Sequence, residues 1–318
     1  MEYGGKEVLN IYGKQFGMVS DITYQDKVST VVTYFNQKLA VDYNLGNLYE
    51  TVINDEWTLD NLLAMGQSCS ADLNNDGIFN QHDAYPLSCQ NDAVYYLLHG
   101  GGMRFCEKDT DGNIVFSLPS EQVVTALQKI YGVMETGSQF FNRQTFGVSF
   151  DEAINMFCTN RTMFLLRPIQ GLFLMRNMEA DFGILPTPKL YEGQKEYGSA
   201  LNPYTATFMC FPKTVEDPDR NAVVMEMMAL ESHYTVISPL YENILGSKLI
   251  RDDNASKMLD IIFDSALYDI GVIWDFGSMT TTMLTTARSG NMSSVLAKIQ
   301  KPIENQIQKL SEDVKNME

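Results

Sequence analysis

At 318 residues, 45% hydrophobic and 11% aromatic, the chain can bury a large core, and at about 100–200 residues per domain it fits two domains. A net charge of −17, with the 23 basic residues scattered, argues against a nucleic-acid partner, because phosphate binding needs clustered Lys and Arg. No apolar run approaches the roughly 18–20 residues of a membrane helix, and the opening MEYGGKEVLN lacks the basic and apolar regions of a signal peptide.

Residues 11–33 alternate strand-like stretches with turns. Gly13-Lys14 reads as a hairpin turn and residues 31–35 as a buried strand. A short helix over 36–43 ends near Gly46. Thr58 caps a helix that places Leu59, Leu62, Leu63 and Met65 on one face, with Trp57 before it as a packing residue.

The next run, DLNNDGIFNQHD, has the layout of an EF-hand-type calcium loop. Asp72, Asn74, Asp76, Asn80 and Asp83 supply side-chain oxygens at loop positions one, three, five, nine and twelve. Ile78 offers its carbonyl at position seven, and Gly77 allows the sharp turn at position six. Aspartate at position twelve, where glutamate is usual, predicts moderate affinity. The competing reading is an Asx-rich surface turn that binds nothing. With no second loop beside it, bound calcium would be a structural staple and not a switch. Cys69 and Cys89 bracket the loop, either bonded or free.

Pro86 argues against a long helix leaving the loop. Gly100-Gly101-Gly102 lacks phosphate-loop spacing and reads as a helix end. A hairpin turns at Asp111-Gly112. Helices follow over 120–136 and, from a Ser149/Glu152 capping box, over 150–159. Residues 161–166 form a buried strand ending at Arg167-Pro168, then a helix over 172–177 and a strand over 182–185. Residues 205–211 read as an apolar strand, and Asp217-Pro218 starts a helix carrying an apolar run over 223–230. Helices over 255–267 and 293–314, the latter kinked or restarted near Pro302, complete an α/β chain. The methionines at helical spacing read as core filling.

The five cysteines form no CxxC pair, the three histidines are far apart, and no GxSxG, HExxH or P-loop occurs.

Several segments together carry a resemblance: YGKQFGMVSDIT, YFNQKLAVDYNL with WTLDNLLAMG, the calcium loop, DFGILPTPKL, FPKTVEDPDRNAVVMEMMALES and MLDIIFDSALYDIG. In this order they resemble the extracellular solute-binding proteins, family 1, of bacterial ABC importers, the maltose-binding-protein-like group. The resemblance implies a two-lobe α/β fold of the periplasmic-binding-protein type II, closing like a hinge on its solute. It places 1–21 and 204–245 in lobe one and 22–203 and 246–318 in lobe two. Lobe one is then incomplete, and the family's signal peptide and lipid-anchor cysteine have no counterpart in these residues. The implied protein is a monomeric, non-enzymatic extracellular receptor that delivers a carbohydrate, an oligosaccharide, to ABC permease subunits.

Sugar sites combine aromatic faces with planar polar groups. The resemblance points to Trp274 and Asp275 in GVIWDFG, Arg167 and Phe173 in RPIQGLF, and Tyr204 and Asp21 at the lobe crossings. Trp274 also reads as a core residue, and Arg167 as an ion-pair partner. Two other functions compete. The 40 acidic residues can supply the carboxylate pair of a glycoside hydrolase, though no pair is identifiable. The loop alternatively marks a calcium-dependent interaction module.

Overall fold

The structure is a computed structural model that describes residues 7–246, 253–286 and 292–317. The beginning of the expected lobe-one range (1–6) and parts of the last lobe-two range (247–252, 287–291, 318) lie outside the described residues.

Eleven strands are described: β1 (Asn10–Ile11), β2 (Lys14–Gln15), β3 (Val31–Asn36), β4 (Tyr85–Cys89), β5 (Cys106–Lys108), β6 (Ile114–Phe116), β7 (Phe140–Asn142), β8 (Thr162–Pro168), β9 (Phe182–Leu185), β10 (Ser199–Ala200) and β11 (Ala266–Leu267). Five build the central sheet in the order β7-β4-β8-β3-β9. β4 runs parallel to β7 and β8, whereas β3 runs antiparallel to β8 and β9. All six residues of β3 are buried, as expected of a strand covered on both faces.

Local signals place the helices. Asn36, Thr58, Ser120, Ser149 and Asp217 each accept a backbone N–H from the first turn of the helix they precede. Such a cap is worth about 1 kcal/mol. The β1–β2 turn is made by Tyr12 and Gly13, both left-handed (φ 50° and 79°), the geometry that suits a two-residue hairpin. The Met292–Lys315 helix runs through Pro302 without restarting and buries Leu296, Ile303 and Ile307.

As expected, no long helix leaves the loop at Pro86, while two other expectations change. Pro86 lies inside β4, a central strand, in which Tyr85 N–H donates to the Arg161 carbonyl and Leu87 N–H to that of Gln139. The Leu59–Gly66 helix comes so close that a Cβ at Gly66 would stand 2.7 Å from Pro86 Cβ, so only glycine fits there. Residues 205–211 form no strand. Met18 and Met209 make a single antiparallel bridge, too little pairing to extend. The methionines of the Pro218–Ser232 helix are not core filling: Met227 and Met228 are exposed, with Val223, Val224, Leu230 and Tyr234 nearby.

That helix continues through a π-turn, His233–Ile237, into Ser238–Gly246. Pro239 follows the wide turn at once. It cannot donate to the ladder, and the extra residue accommodates it. Segments 18–30 and 201–209 run antiparallel between the sheet and this helix, joined by Met18–Met209, Thr23–Thr207 and Thr30–Leu201 contacts.

Candidate functional site

Because β4, β7 and β8 run parallel, their carboxyl ends share one edge of the sheet, where ligands bind in α/β folds. β4 runs out into Gln90, Asn91 and Asp92, β7 into Asn142, Arg143 and Gln144, and β8 into Arg167. The chain then knits these side chains together. Asn142 Nδ2 donates to Asn91 Oδ1 at 2.8 Å, and Arg143 Nε to Gln90 Oε1 at 3.1 Å. Asn91 N–H donates to Gln144 Oε1 at 3.1 Å, and Gln90 Nε2 to Asp92 Oδ2 at 2.5 Å. The result is a rim of planar amides, one carboxylate and two guanidinium groups.

Aromatic rings stand behind and beside the rim. Tyr95 and Tyr96 open the Ala93–Gly100 helix, edge to face at 4.5 Å between centroids. Tyr96 OH accepts from Asn202 Nδ2 at 3.0 Å, and Asn202 Oδ1 accepts the N–H of the exposed Tyr204 at 3.0 Å. The Tyr95 hydroxyl is buried, with that of Tyr96 as a polar neighbour that, after burial itself, raises its pKa. The Phe150–Cys158 helix leads into β8, so its first residue returns to this edge. There the Arg167 guanidinium lies 3.8 Å from the Phe150 ring centre, with that of Arg143 at 5.7 Å.

Burial sets the protonation of the group. It raises the Tyr95 and Tyr96 hydroxyls well above their ordinary range and lowers Arg167. It also raises Asp92, against the pull of the Gln90 and Tyr96 hydrogen bonds and of Arg143 and Arg167.

Of the residues singled out from sequence, Arg167 and Tyr204 belong to this cluster. Asp275 is close enough to act, with Asp92, on the Tyr204 hydroxyl, which burial raises first and both charges raise further. It sits in a left-handed turn (φ 45°), and its Oδ1 accepts the Thr280 N–H at 2.8 Å. Trp274 ends the short Ile270–Trp274 helix, half-buried against the main core. Phe173 is exposed on the Leu172–Met175 helix just beyond β8. Asp21 lies apart, its Oδ2 accepting from His233 Nδ1–H at 2.7 Å.

Sequence reasoning missed Gln90, Asn91, Asp92, Asn142, Arg143 and Phe150. The available signal was a short apolar run followed at once by planar polar residues, as in PLSCQND and FFNR.

The 72–83 loop is closed by an Ala71–Ala84 bridge. Asp72 Oδ2 accepts the Gly77 N–H at 2.7 Å, with Gly77 at φ 77°. Asn74 accepts from Asp76 N–H, Asp76 from Ile78 N–H, and Asn80 from His82 N–H. Asp83 is fully buried, its two oxygens taking the Leu73 and Asn80 N–H groups. The Ile78 carbonyl accepts from Asn80 Nδ2, and Asp72 Oδ1 is buried without a partner. Among the described residues, no three Asp, Glu, His or Cys side chains gather as a metal-binding group. Cys69 and Cys89 are both free, buried thiols.

No protein-family model matches the chain, and no curated protein does. Solved structures do. A cyclo/maltodextrin-binding protein complexed with maltotetraose aligns at TM-score 0.62 and 13% identity, over 96% of this chain and 74% of that one. The maltose/maltodextrin-binding domain MalE from Bdellovibrio bacteriovorus, bound to maltotriose, gives 0.58 and 14% over 96% and 76%. The lacto-N-biose complex of the galacto-N-biose-/lacto-N-biose I-binding protein from Bifidobacterium longum gives 0.57 and 10% over 97% and 74%. At these identities the likeness is one of fold. The chain has the mixed α/β architecture of the two-lobe solute-binding proteins.

Proposed function

We propose that this chain is the extracellular substrate-binding component of an ABC importer, binding a carbohydrate, an oligosaccharide, and handing it to permease subunits. The observation that carries the reading is the rim of amides, Asp92 and arginines at the carboxyl edge of the sheet, flanked by the exposed Tyr204. This chemistry suits sugar hydroxyls and ring faces. The antiparallel segments 18–30 and 201–209 supply the crossing on which lobes 1–21 with 204–245 and 22–203 with 246–318 would close. The solved neighbours are binding proteins, two bound to maltodextrins and one to lacto-N-biose, which favours a receptor over a glycoside hydrolase. Among the described residues no helix is long and apolar enough to cross a membrane.

The test is a melting-temperature screen against neutral and acidic oligosaccharides, with chromatography of the sugar afterwards. A receptor gives a ligand-dependent rise and intact sugar. Cleavage that disappears on replacing one carboxylate would overturn the reading, as would indifference to every saccharide.

Calcium at the 72–83 loop is a separate proposal. Asp72, Asn74, Asp76, Asn80, Asp83 and the Ile78 carbonyl are hard oxygen donors, and the buried, unpartnered Asp72 Oδ1 is the observation that favours a cation. Chelation would lower the melting temperature and calcium restore it. A curve that ignores both leaves an Asx-rich turn.

A further inference from the structure

We infer that the site takes a saccharide bearing an anionic group, a carboxylate or a sulfate, held by Arg167 and Arg143. This rests on the carbohydrate-binding reading and narrows it.

Arg167 is the anchor of the argument. Its Nε is buried and has no acceptor, and among the described residues its guanidinium makes no hydrogen bond and no ion pair. What it does touch is the face of Phe150, 3.8 Å away. A largely buried cation with no bonded counter-ion is costly, and folded proteins seldom leave one so. Scarcity of acid is not the reason, since the chain carries 40 acidic residues. Arg143 beside it donates only to the neutral Gln90 side chain and likewise forms no ion pair.

The remaining titratable groups do not balance the pair. Asp92 is the carboxylate that both arginines feel, and it is bound by Gln90 Nε2 and reached by Tyr96 OH. Tyr34, Tyr96 and Cys89 also face Arg167, and burial holds all three neutral. Among the described residues no carboxylate is bonded to either guanidinium, Asp92 acting on both only through space and Asp275 on the Tyr204 hydroxyl, so the positive charge of the pair has no direct partner. A neutral sugar would leave that charge uncompensated.

The geometry favours an oxyanion over a stray chloride or a water. The Arg167 guanidinium lies over the Phe150 ring at 3.8 Å, a contact that restrains the side chain and leaves its N–H groups without acceptors among the described residues. A planar carboxylate matches a guanidinium fork with two parallel hydrogen bonds, and a sulfate can use the same two donors. Tyr204 stands exposed nearby to cover the sugar ring.

The experiment is titration calorimetry with trigalacturonate, with an unsaturated chondroitin sulfate disaccharide and with maltotriose, each at low and high salt. The proteins are wild type, Arg167→Gln and Arg143→Gln, each checked by circular dichroism. We expect one of the anionic sugars to bind at least tenfold tighter than maltotriose, with affinity falling as salt rises. Each substitution should weaken that binding tenfold or more and flatten its dependence on salt; the arm that responds identifies the anion. If Arg167→Gln does not fold, Arg143→Gln carries the test. Maltotriose binding as tightly as both anionic sugars would overturn the inference while leaving the receptor reading standing. Failure of all three sugars, and of the wider screen, would overturn the receptor reading and this inference with it.

Discussion

His99 Nε2 lies 3.0 Å from Asp269 Oδ2 in full burial, tying the helix that follows β4 to the segment carrying Trp274 and Asp275. Asp269 also accepts the N–H groups of Phe105 at 2.6 Å, Cys106 at 3.2 Å and Gly271 at 2.8 Å. Asp269→Ala would strand three backbone donors and one imidazole. At about 1–3 kcal/mol for a buried unsatisfied group, we expect a loss of at least ~3 kcal/mol. Asp269→Asn keeps one acceptor oxygen and should cost less. Urea midpoints for the two variants check this, and equal midpoints for Asp269→Ala and wild type would refute it.

Asp92 gives a pH-dependent counterpart. Its folded pKa is raised, chiefly by burial, so the folded state holds its proton more tightly than the unfolded chain. The penalty is absent where the carboxyl is protonated in both states, below the unfolded value of about 3.9, and grows as pH rises through the folded value. Asp92→Asn keeps an acceptor for Gln90 and Tyr96. It should therefore stabilise the protein at pH 7.5 and lose that advantage toward pH 4. Melting curves at the two pH values measure it; an advantage that grows on acidification would reverse the assignment.

The thiols answer the question left open by Cys69 and Cys89. Burial pushes Cys69 up to about 11 and Cys89 up to about 12, and raises Cys106 and Cys158. The thiolate is the reactive form, so these groups should be inert at pH 8 while the exposed Cys210 is alkylated. Native labelling followed by mass spectrometry should show modification dominated by Cys210. Five labels should follow unfolding without reductant; three would mean a disulfide.

Much of the fold was legible because its signals are local. A cap needs only the oxygen of Thr58 or Ser149 and an N–H three residues on, and both were read from the sequence. β4 was not legible. A buried parallel strand lacks the alternation that marks a half-exposed one, and Pro86 spoke only against a helix there. The site divides the same way. Arg167 and Tyr204 were singled out because each sits in a recognisable segment. Asn91 and Asn142 are 51 residues apart and meet only because β4 and β7 pair in parallel, a relationship no single segment contains.

The exposed face of the Pro218–Ser232 helix was misread for a related reason. The spacing of Val223, Met227, Leu230 and Tyr234 is that of a packed seam, yet all four are exposed. If that face is free in solution, Met227→Gln and Leu230→Gln together should leave the urea midpoint within about 0.5 kcal/mol of wild type, as for surface substitutions. They should also reduce binding of a hydrophobic dye. A destabilisation of several kcal/mol, about that of emptying a core site, would show that the face is covered.

The loop at 72–83 separates backbone support from cation binding. Asp83 is fully buried and takes two N–H groups. Asp83→Ala should therefore destabilise by about 2 kcal/mol with or without calcium, from the donors it abandons. Asp76 is exposed, and its Oδ1 accepts only the Ile78 N–H. Asp76→Asn retains that acceptor and removes a charge, so it should cost little in chelator yet weaken any response to calcium, whose affinity follows ligand charge. Melting temperatures of both variants with chelator and with added calcium give four numbers. If Asp76→Asn and wild type rise equally on adding calcium, the cation is not held at position five.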